Sequence, residues 1–173
     1  DLASAYVAAR DYSKRDGVYF LNDATDLDLP AGPATIAMEI FEQNPATDTI
    51  YVPMGDTALI RGVAAAAKQL SPDVCIVGVQ AERAPSYFLS WREGRAVPTD
   101  TCDTIADGLA TRTPEEANVM EIRQLVDKVM LVEEAEMLAA IRYLSEREGV
   151  LAEPAGAAAT AAFQQSVGDK GKH

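Results

Sequence analysis

Apolar and polar positions along this chain follow two alternating rhythms. Short apolar runs, Ile50-Tyr51-Val52, Val74-Cys75-Ile76-Val77-Gly78-Val79 and, opened by a lysine, Lys128-Val129-Met130-Leu131-Val132, are separated by longer stretches in which apolar residues recur every three or four positions. The runs are β-branched and bounded by turn residues, which predicts strands covered on both faces. The longer stretches predict helices. They cover residues 2–15, 34–43, from about 57 to Leu70, 86–92, 115–125, 133–147 and 155–165. A further apolar run, Val18-Tyr19-Phe20-Leu21, predicts a short strand after a helix stopped by Gly17. The second helix carries Ile36, Ile40 and Phe41 on one face with Met38 nearby. The helix over 133–147 has Met137, Leu138, Ile141 and Leu144 on its buried side, and Gly149 stops it. Strand and helix alternate through most of the chain, so the fold class is α/β with a mainly parallel sheet. The 173 residues suit one domain with a full core.

The central strand runs straight into Pro53-Met54-Gly55-Asp56-Thr57-Ala58-Leu59-Ile60-Arg61-Gly62 and then an Ala-rich helix. Gly55 permits a sharp bend that a Cβ would resist. Asp56 or Thr57 is placed to cap the helix. A helix starting at the end of a parallel strand aims free N–H groups and partial positive charge at one point, where anions and phosphates bind. The same pattern also serves as a plain strand-turn-helix joint without a ligand. The segment 99–113 is polar and turn-rich around Thr104-Ile105-Ala106-Asp107-Gly108-Leu109, and loops of this length in compact domains often carry function.

Charge narrows the partners. The formal net charge is −12, which disfavours nucleic acid, because phosphate neutralisation draws on Lys and Arg. Apolar residues make up 48% of the chain, too many for disorder, yet no run is long enough to span a membrane. Cys75 and Cys102 fit neither a metal spacing nor a disulfide framework, and no leader peptide opens the chain, so a reduced, cytoplasmic setting is expected. The single histidine, His173, offers no triad or zinc set, and no metal is expected. The start inside an apparent helix, and Gly168-Asp169-Lys170-Gly171-Lys172-His173 read as a loop toward a further strand, predict a piece of a larger fold.

Four segments carry a resemblance. They are Ala34-Thr35-Ile36-Ala37-Met38-Glu39-Ile40, Val52-Pro53-Met54-Gly55-Asp56-Thr57-Ala58-Leu59-Ile60-Arg61-Gly62, Thr104-Ile105-Ala106-Asp107-Gly108-Leu109-Ala110 and Glu153-Pro154-Ala155-Gly156-Ala157-Ala158. In order and spacing the chain resembles the large domain of the fold type II (tryptophan synthase β-like) pyridoxal-phosphate enzymes, nearest in kind to threonine/serine dehydratases and serine racemase. The resemblance implies that residues 1–173 are a single, partial large domain, without the lysine-bearing N-terminal part and the final C-terminal strand. It implies pyridoxal phosphate as cofactor, a small hydroxy amino acid as substrate, and a homo-oligomer. The reaction it implies is β-elimination to a 2-oxo acid and ammonia.

By the same resemblance the cofactor phosphate falls to Gly55, Asp56, Thr57, Ala58 and Leu59, the ring face to Gly108, and the ring edge to Glu153. Read from residues alone, Gly108 is equally a turn glycine and Glu153 a charge suited to a helix N-terminus. Gln80 and Ala84 fall where some relatives bind a divalent metal, but Gln80 is not the acid used there. Two departures stand out. The family's glycine run is replaced by Asp56, Thr57 and Ala58, which sets a carboxylate at a phosphate seat unless Asp56 turns back to cap the helix. None of Lys14, Lys68, Lys128, Lys170 and Lys172 sits in the family's lysine motif, so no catalytic residue is assigned and the chain alone is expected to be inactive. The alternative is a non-catalytic truncated homologue that binds an anion or a protein partner. A different nucleotide-binding α/β module fits less well, because Gly55 lacks G-x-G-x-x-G companions.

Overall fold

A computed structural model describes residues 2–170 of the chain. In chain order the elements are α1 (Leu2–Tyr12), α2 (Ala31–Gln43), β1 (Thr49–Pro53), α3 (Ala58–Leu70), β2 (Cys75–Ala81), α4 (Ser86–Glu93), α5 (Glu116–Leu125), β3 (Lys128–Val132), α6 (Glu134–Tyr143) and α7 (Pro154–Lys170). A 3₁₀ turn covers Asp107–Leu109 and a π turn, Leu144–Glu148, extends α6. Three strands pair in the order β1-β2-β3, all parallel, with Ile50 opposite Ile76 and Gly78 opposite Val129.

Strand periodicity divides the core between the two sheet faces. Ile50, Val52, Ile76 and Val129 point to one side, where Val63, Ala64 and Ala67 of α3 and Val119 and Ile122 of α5 cover them. Val77, Val79 and Val132 point to the other, under Ala157, Ala158, Ala161 and Ala162 of α7 and Met137 and Ala140 of α6. Each fully buried aliphatic side chain contributes roughly 1.5–3 kcal/mol. The Ala-rich faces of α3 and α7 bring helix backbone close to the strands, and therefore bring both helix N-termini close to the carboxyl edge of the sheet. The opposite edge is closed by charge. Lys68 Nζ donates to the Val74 carbonyl at 2.7 Å and to the Asp127 carboxylate at 2.8 Å, while the Ile76 N–H donates to Asp127 at 2.7 Å.

Several expectations need correction. Residues 18–21 take no regular secondary structure and join no sheet; Tyr19 is 76% exposed, and Phe20 packs edge-on against Tyr6. On α2 Ile40 and Phe41 pack against the core as expected, beside the fully buried Ala37, whereas Ile36 and Met38 face outward. On α6 Leu138 is exposed and Ala140 takes the buried place. Residues 168–170 continue α7 rather than forming a loop; Gly171, Lys172 and His173 lie outside the described residues. Among the described residues no helix is long and apolar enough to cross a membrane.

Candidate functional site

Chain direction puts the end of β1 and the start of α3 on one edge of the sheet, and packing of Ala155 against Gly108 brings the start of α7 there too. There a cleft of about 240 Å³ opens, lined by Pro53, Gly55, Asp56, Leu59, Gly108, Leu109, Glu153, Ala155 and Gly156. Five residues singled out from sequence, Gly55, Asp56, Leu59, Gly108 and Glu153, meet on its walls although they span 99 positions (153 − 55 + 1). Two helix N-termini point into it, so its floor carries partial positive charge. The other two predicted residues, Thr57 and Ala58, are buried beside it and shape the turn from within.

The turn is built differently from its sequence reading. Gly55 is not needed for a left-handed backbone; among the described residues the non-glycine with positive φ is Thr57, at 83°. Gly55 is needed for proximity, because a Cβ there would collide with the Gly108 carbonyl oxygen. Gly108 in turn lies against Ala155, at 3.0 Å from a Cβ placed on it. Main chain from two distant segments thus meets directly, with the Ala155 methyl group of a third packed next to it.

Asp56 caps the helix, not Thr57. The Ala58 N–H donates to Asp56 Oδ1 at 3.0 Å, whereas Thr57 makes no side-chain cap. The Thr57 hydroxyl is buried without a hydrogen-bond partner of good geometry. It lies near Tyr87, whose own hydroxyl is pushed above its ordinary pKa mainly by burial, against the Glu115 amide and Asn118, which pull it down. Holding a Thr at positive φ costs about 1–3 kcal/mol, and stranding its hydroxyl costs a similar amount. A glycine would lose about 1 kcal/mol in chain entropy and a comparable amount in buried methyl. Thr57→Gly is therefore expected to stabilise the fold by about 1 kcal/mol in urea denaturation, with an unchanged slope; a loss of stability would show that the methyl outweighs the strain.

A polar clamp fixes the loop 22–30 beside the turn. Asn118 Nδ2 donates to the Ala24 carbonyl at 2.8 Å and to the Asp56 carbonyl at 3.2 Å. Arg61, 3% exposed, reaches the Ala24 carbonyl at 3.4 Å and pairs with Glu121 at 3.0 Å. Asn118 thereby holds Ala24, the residue after Asp23, next to the Asp56 main chain. Burial first, and then Asp23, raise the Asp56 pKa; the Ala58 amide and Arg61 oppose the shift. Sequence reasoning missed Asp23, Arg61 and Asn118. A buried Arg four residues beyond a helix N-cap was the available signal, but its partners are 37 and 60 positions away.

The described lysines stand elsewhere. Lys68 is in the last turn of α3 and Lys128 opens β3, both at the amino edge; Lys14 is exposed and paired with Asp11. Gln80 is fully buried, accepts the Phe88 N–H at 2.7 Å, and leaves its Nε2 without a partner. Asp127, on the amino edge, has a carboxyl group that burial would raise but that the Ile76 amide and Lys68 hold below its ordinary range.

The sequence profile of the family described as pyridoxal-phosphate dependent enzyme matches residues 1–172. The L-threonine ammonia-lyase of Thermotoga maritima is 38% identical over 168 residues, which are 97% of this chain and 42% of that protein. The processed form of threonine deaminase isoform 2 from Solanum lycopersicum aligns with a TM-score of 0.82 at 32% identity, over 87% of this chain and 42% of that one. Serine racemase from Dictyostelium discoideum aligns with a TM-score of 0.85 at 27% identity, over 98% of this chain and 55% of that one. The chain thus spans less than half the length of the curated relatives it matches.

Proposed function

This chain belongs to the family of pyridoxal-phosphate dependent enzymes, and from that membership we propose that it is the phosphate-holding portion of a threonine/serine dehydratase-like ammonia-lyase. The observation that carries the reading is the meeting of the 55–59 turn, Gly108 and Glu153 around one cleft. Its parts suit the cofactor. Positive φ at Thr57 keeps a glycine-like bend, and Gly55 and Gly108 approach closely with no Cβ between them. In this reading the backbone of Gly55, Asp56, Thr57, Ala58 and Leu59 holds the phosphate at the start of a 13-residue helix. Gly108 lies against the ring face, and Glu153, just before α7, stands beside the ring. When bound, the cofactor supplies an electron sink for a carbanion at the substrate's α-carbon. The described residues supply phosphate binding, ring orientation and one dry wall, but no lysine that reaches the cleft.

The whole protein would act on a small hydroxy amino acid, releasing a 2-oxo acid and ammonia. Residues 1–173 would be one partial domain within it, inactive alone. Unpartnered sheet edges at β1 and β3, and the exposed Val150, Leu151, Phe163 and Val167, support self-association, as a homo-oligomer. The free thiols of Cys75 and Cys102 support a reducing, cytoplasmic setting. The alternative, a non-catalytic homologue that binds an anion or a protein partner, is favoured by one observation: Asp56 already occupies the Ala58 amide.

Titration of the 173-residue chain with pyridoxal phosphate and with pyridoxal, followed by absorbance, tests the reading. The phosphate form is expected to bind at least about tenfold more tightly, a difference of about 1.4 kcal/mol. It should be displaced by inorganic phosphate and should leave no borohydride-trapped adduct on Lys68 or Lys128. Equal binding of the two forms would overturn the assignment of the turn.

A further inference from the structure

The peptide unit between Asp56 and Thr57 is gripped from one side. Asn118 of α5, 3% exposed, donates through Nδ2 to the Asp56 carbonyl at 3.2 Å and to the Ala24 carbonyl at 2.8 Å. The same nitrogen lies 3.4 Å from the hydroxyl of the buried Tyr87, which accepts the Glu115 N–H at 3.1 Å. Among the described residues every peptide bond is trans, so the Asp56 carbonyl and the Thr57 N–H share a plane and point opposite ways. Fixing the carbonyl toward Asn118 therefore turns the Thr57 N–H away from it. Asn118 lines no part of the cleft, whose wall includes Gly55, Asp56 and Leu59.

The same peptide unit carries the strain of the turn. Thr57 has a φ of 83° and is buried, and among the described residues its N–H has no hydrogen-bond partner. A buried main-chain donor without an acceptor is rare and costly. The next amide differs, since Asp56 Oδ1 accepts the Ala58 N–H at 3.0 Å. The capping carboxylate thus occupies one amide of the turn and leaves that of Thr57 open. A glycine at 57 would take this backbone without strain. A threonine needs an external hold, and the bonds of Asn118 supply it.

We propose that Asn118 is a positioning residue for the phosphate cradle: by holding the Asp56 carbonyl it aims the Thr57 N–H into the cleft, where that amide donates to a phosphate oxygen. This rests on the cofactor-phosphate reading of the turn and names the donor that stays available although Asp56 caps the helix.

Inorganic phosphate and pyridoxal phosphate, titrated separately into the isotope-labelled 173-residue chain, test the assignment. With both ligands the Thr57 amide is expected to move downfield, as an N–H does on gaining a charged acceptor, and to move farther than that of Ala58, which keeps its own. Asn118→Ala should weaken both ligands at least about tenfold and lower the melting temperature. Thr57→Gly alone should bind within about threefold of wild type. Combined with Asn118→Ala, it should restore binding to within about threefold of wild type, because glycine keeps the bend unaided. The melting temperature of that double variant should stay below that of Thr57→Gly, because the Ala24 carbonyl still lacks its donor. Loss of Asn118 packing alone would not split binding from stability in this way. Binding that leaves the Thr57 amide unmoved, an Asn118→Ala protein that binds like wild type, or a double variant that binds no better than Asn118→Ala would each overturn the positioning role and leave the cradle standing. If Asn118→Ala did not fold, the Thr57 amide of the wild-type chain would decide alone. If neither ligand bound the folded wild-type chain, the cradle reading would fall and the role of Asn118 with it.

Discussion

Gly55→Ala is expected to lower stability by about 3 kcal/mol and to weaken pyridoxal phosphate binding at least about tenfold. The added Cβ meets the carbonyl oxygen of Gly108, an atom of the main chain that has no rotamer to escape into. The 3₁₀ turn Asp107–Leu109 has to move, and it is anchored by the fully buried Leu109. Overpacking against yielding side chains costs about 1–3 kcal/mol, and a rigid backbone neighbour places this change at the upper end. For a chain of this size the loss corresponds to a fall of about 9 °C in melting temperature. The same displacement opens the joint between the turn and the ring-side wall, so binding falls with stability. Gly156→Ala on the same cleft is the control. Its Cβ would find Glu153 Cγ at an ordinary 3.7 Å, so it should leave stability within about 1 kcal/mol of wild type. Parallel thermal melts and pyridoxal phosphate titrations decide the matter; a Gly55→Ala protein that melts and binds like wild type would mean that the turn and Gly108 are not in contact.

Gly62→Ala should cost about 2 kcal/mol, against the direction helix propensity predicts. In an exposed helix, replacing Gly by Ala gains about 1 kcal/mol. Here the new Cβ collides with the Pro30 carbonyl and approaches Pro33 Cβ at 2.9 Å and the Ala34 N–H at 3.0 Å. Gly62 is the notch into which the first turn of α2 settles. Overpacking of about 3 kcal/mol outweighs the propensity gain. The helix α2 should lift as a unit, with faster amide exchange at residues 34–43 and a lower urea midpoint. If Gly62→Ala proved more stable than wild type, α2 would have to sit farther from α3 than the structure has it. Because the loop 22–30 leads directly into α2, the variant also loosens Ala24, which Asn118 holds beside Asp56.

How much of this was legible beforehand can be seen residue by residue. The apolar stretches 50–52, 74–79 and 129–132 mark the strands at 49–53, 75–81 and 128–132, because a strand covered on both faces carries few polar positions; Gln80, inside the second strand, is not marked by them. The end of α3 before Ser71-Pro72 and the stop at Gly149, with φ of 67°, follow from local backbone chemistry. Val18-Tyr19-Phe20-Leu21 misled, since an apolar run becomes a strand only when another strand is free to pair with it. Ile36, Met38 and Leu138 misled because periodicity identifies a face but not what lies opposite; Ala37 and Ala140 fill the narrow gaps that larger side chains would not enter.

At the candidate site the sequence by itself determined the kind of chemistry: a strand that ends in a glycine, a helix that starts at once, a polar loop bearing Gly108, and an acid before an Ala-rich helix. Those are local properties, set by propensity, turn conformation and helix ends. Only the tertiary structure decided that these pieces share one cleft and that Gly55 is required by the nearness of Gly108. It also decided that Thr57 carries the left-handed bend, and that Asp56 leans on Ala58. The reason is physical. Collision, burial and charge coupling depend on distances between segments far apart in the chain, and those distances exist only once the sheet and its two helical layers have packed.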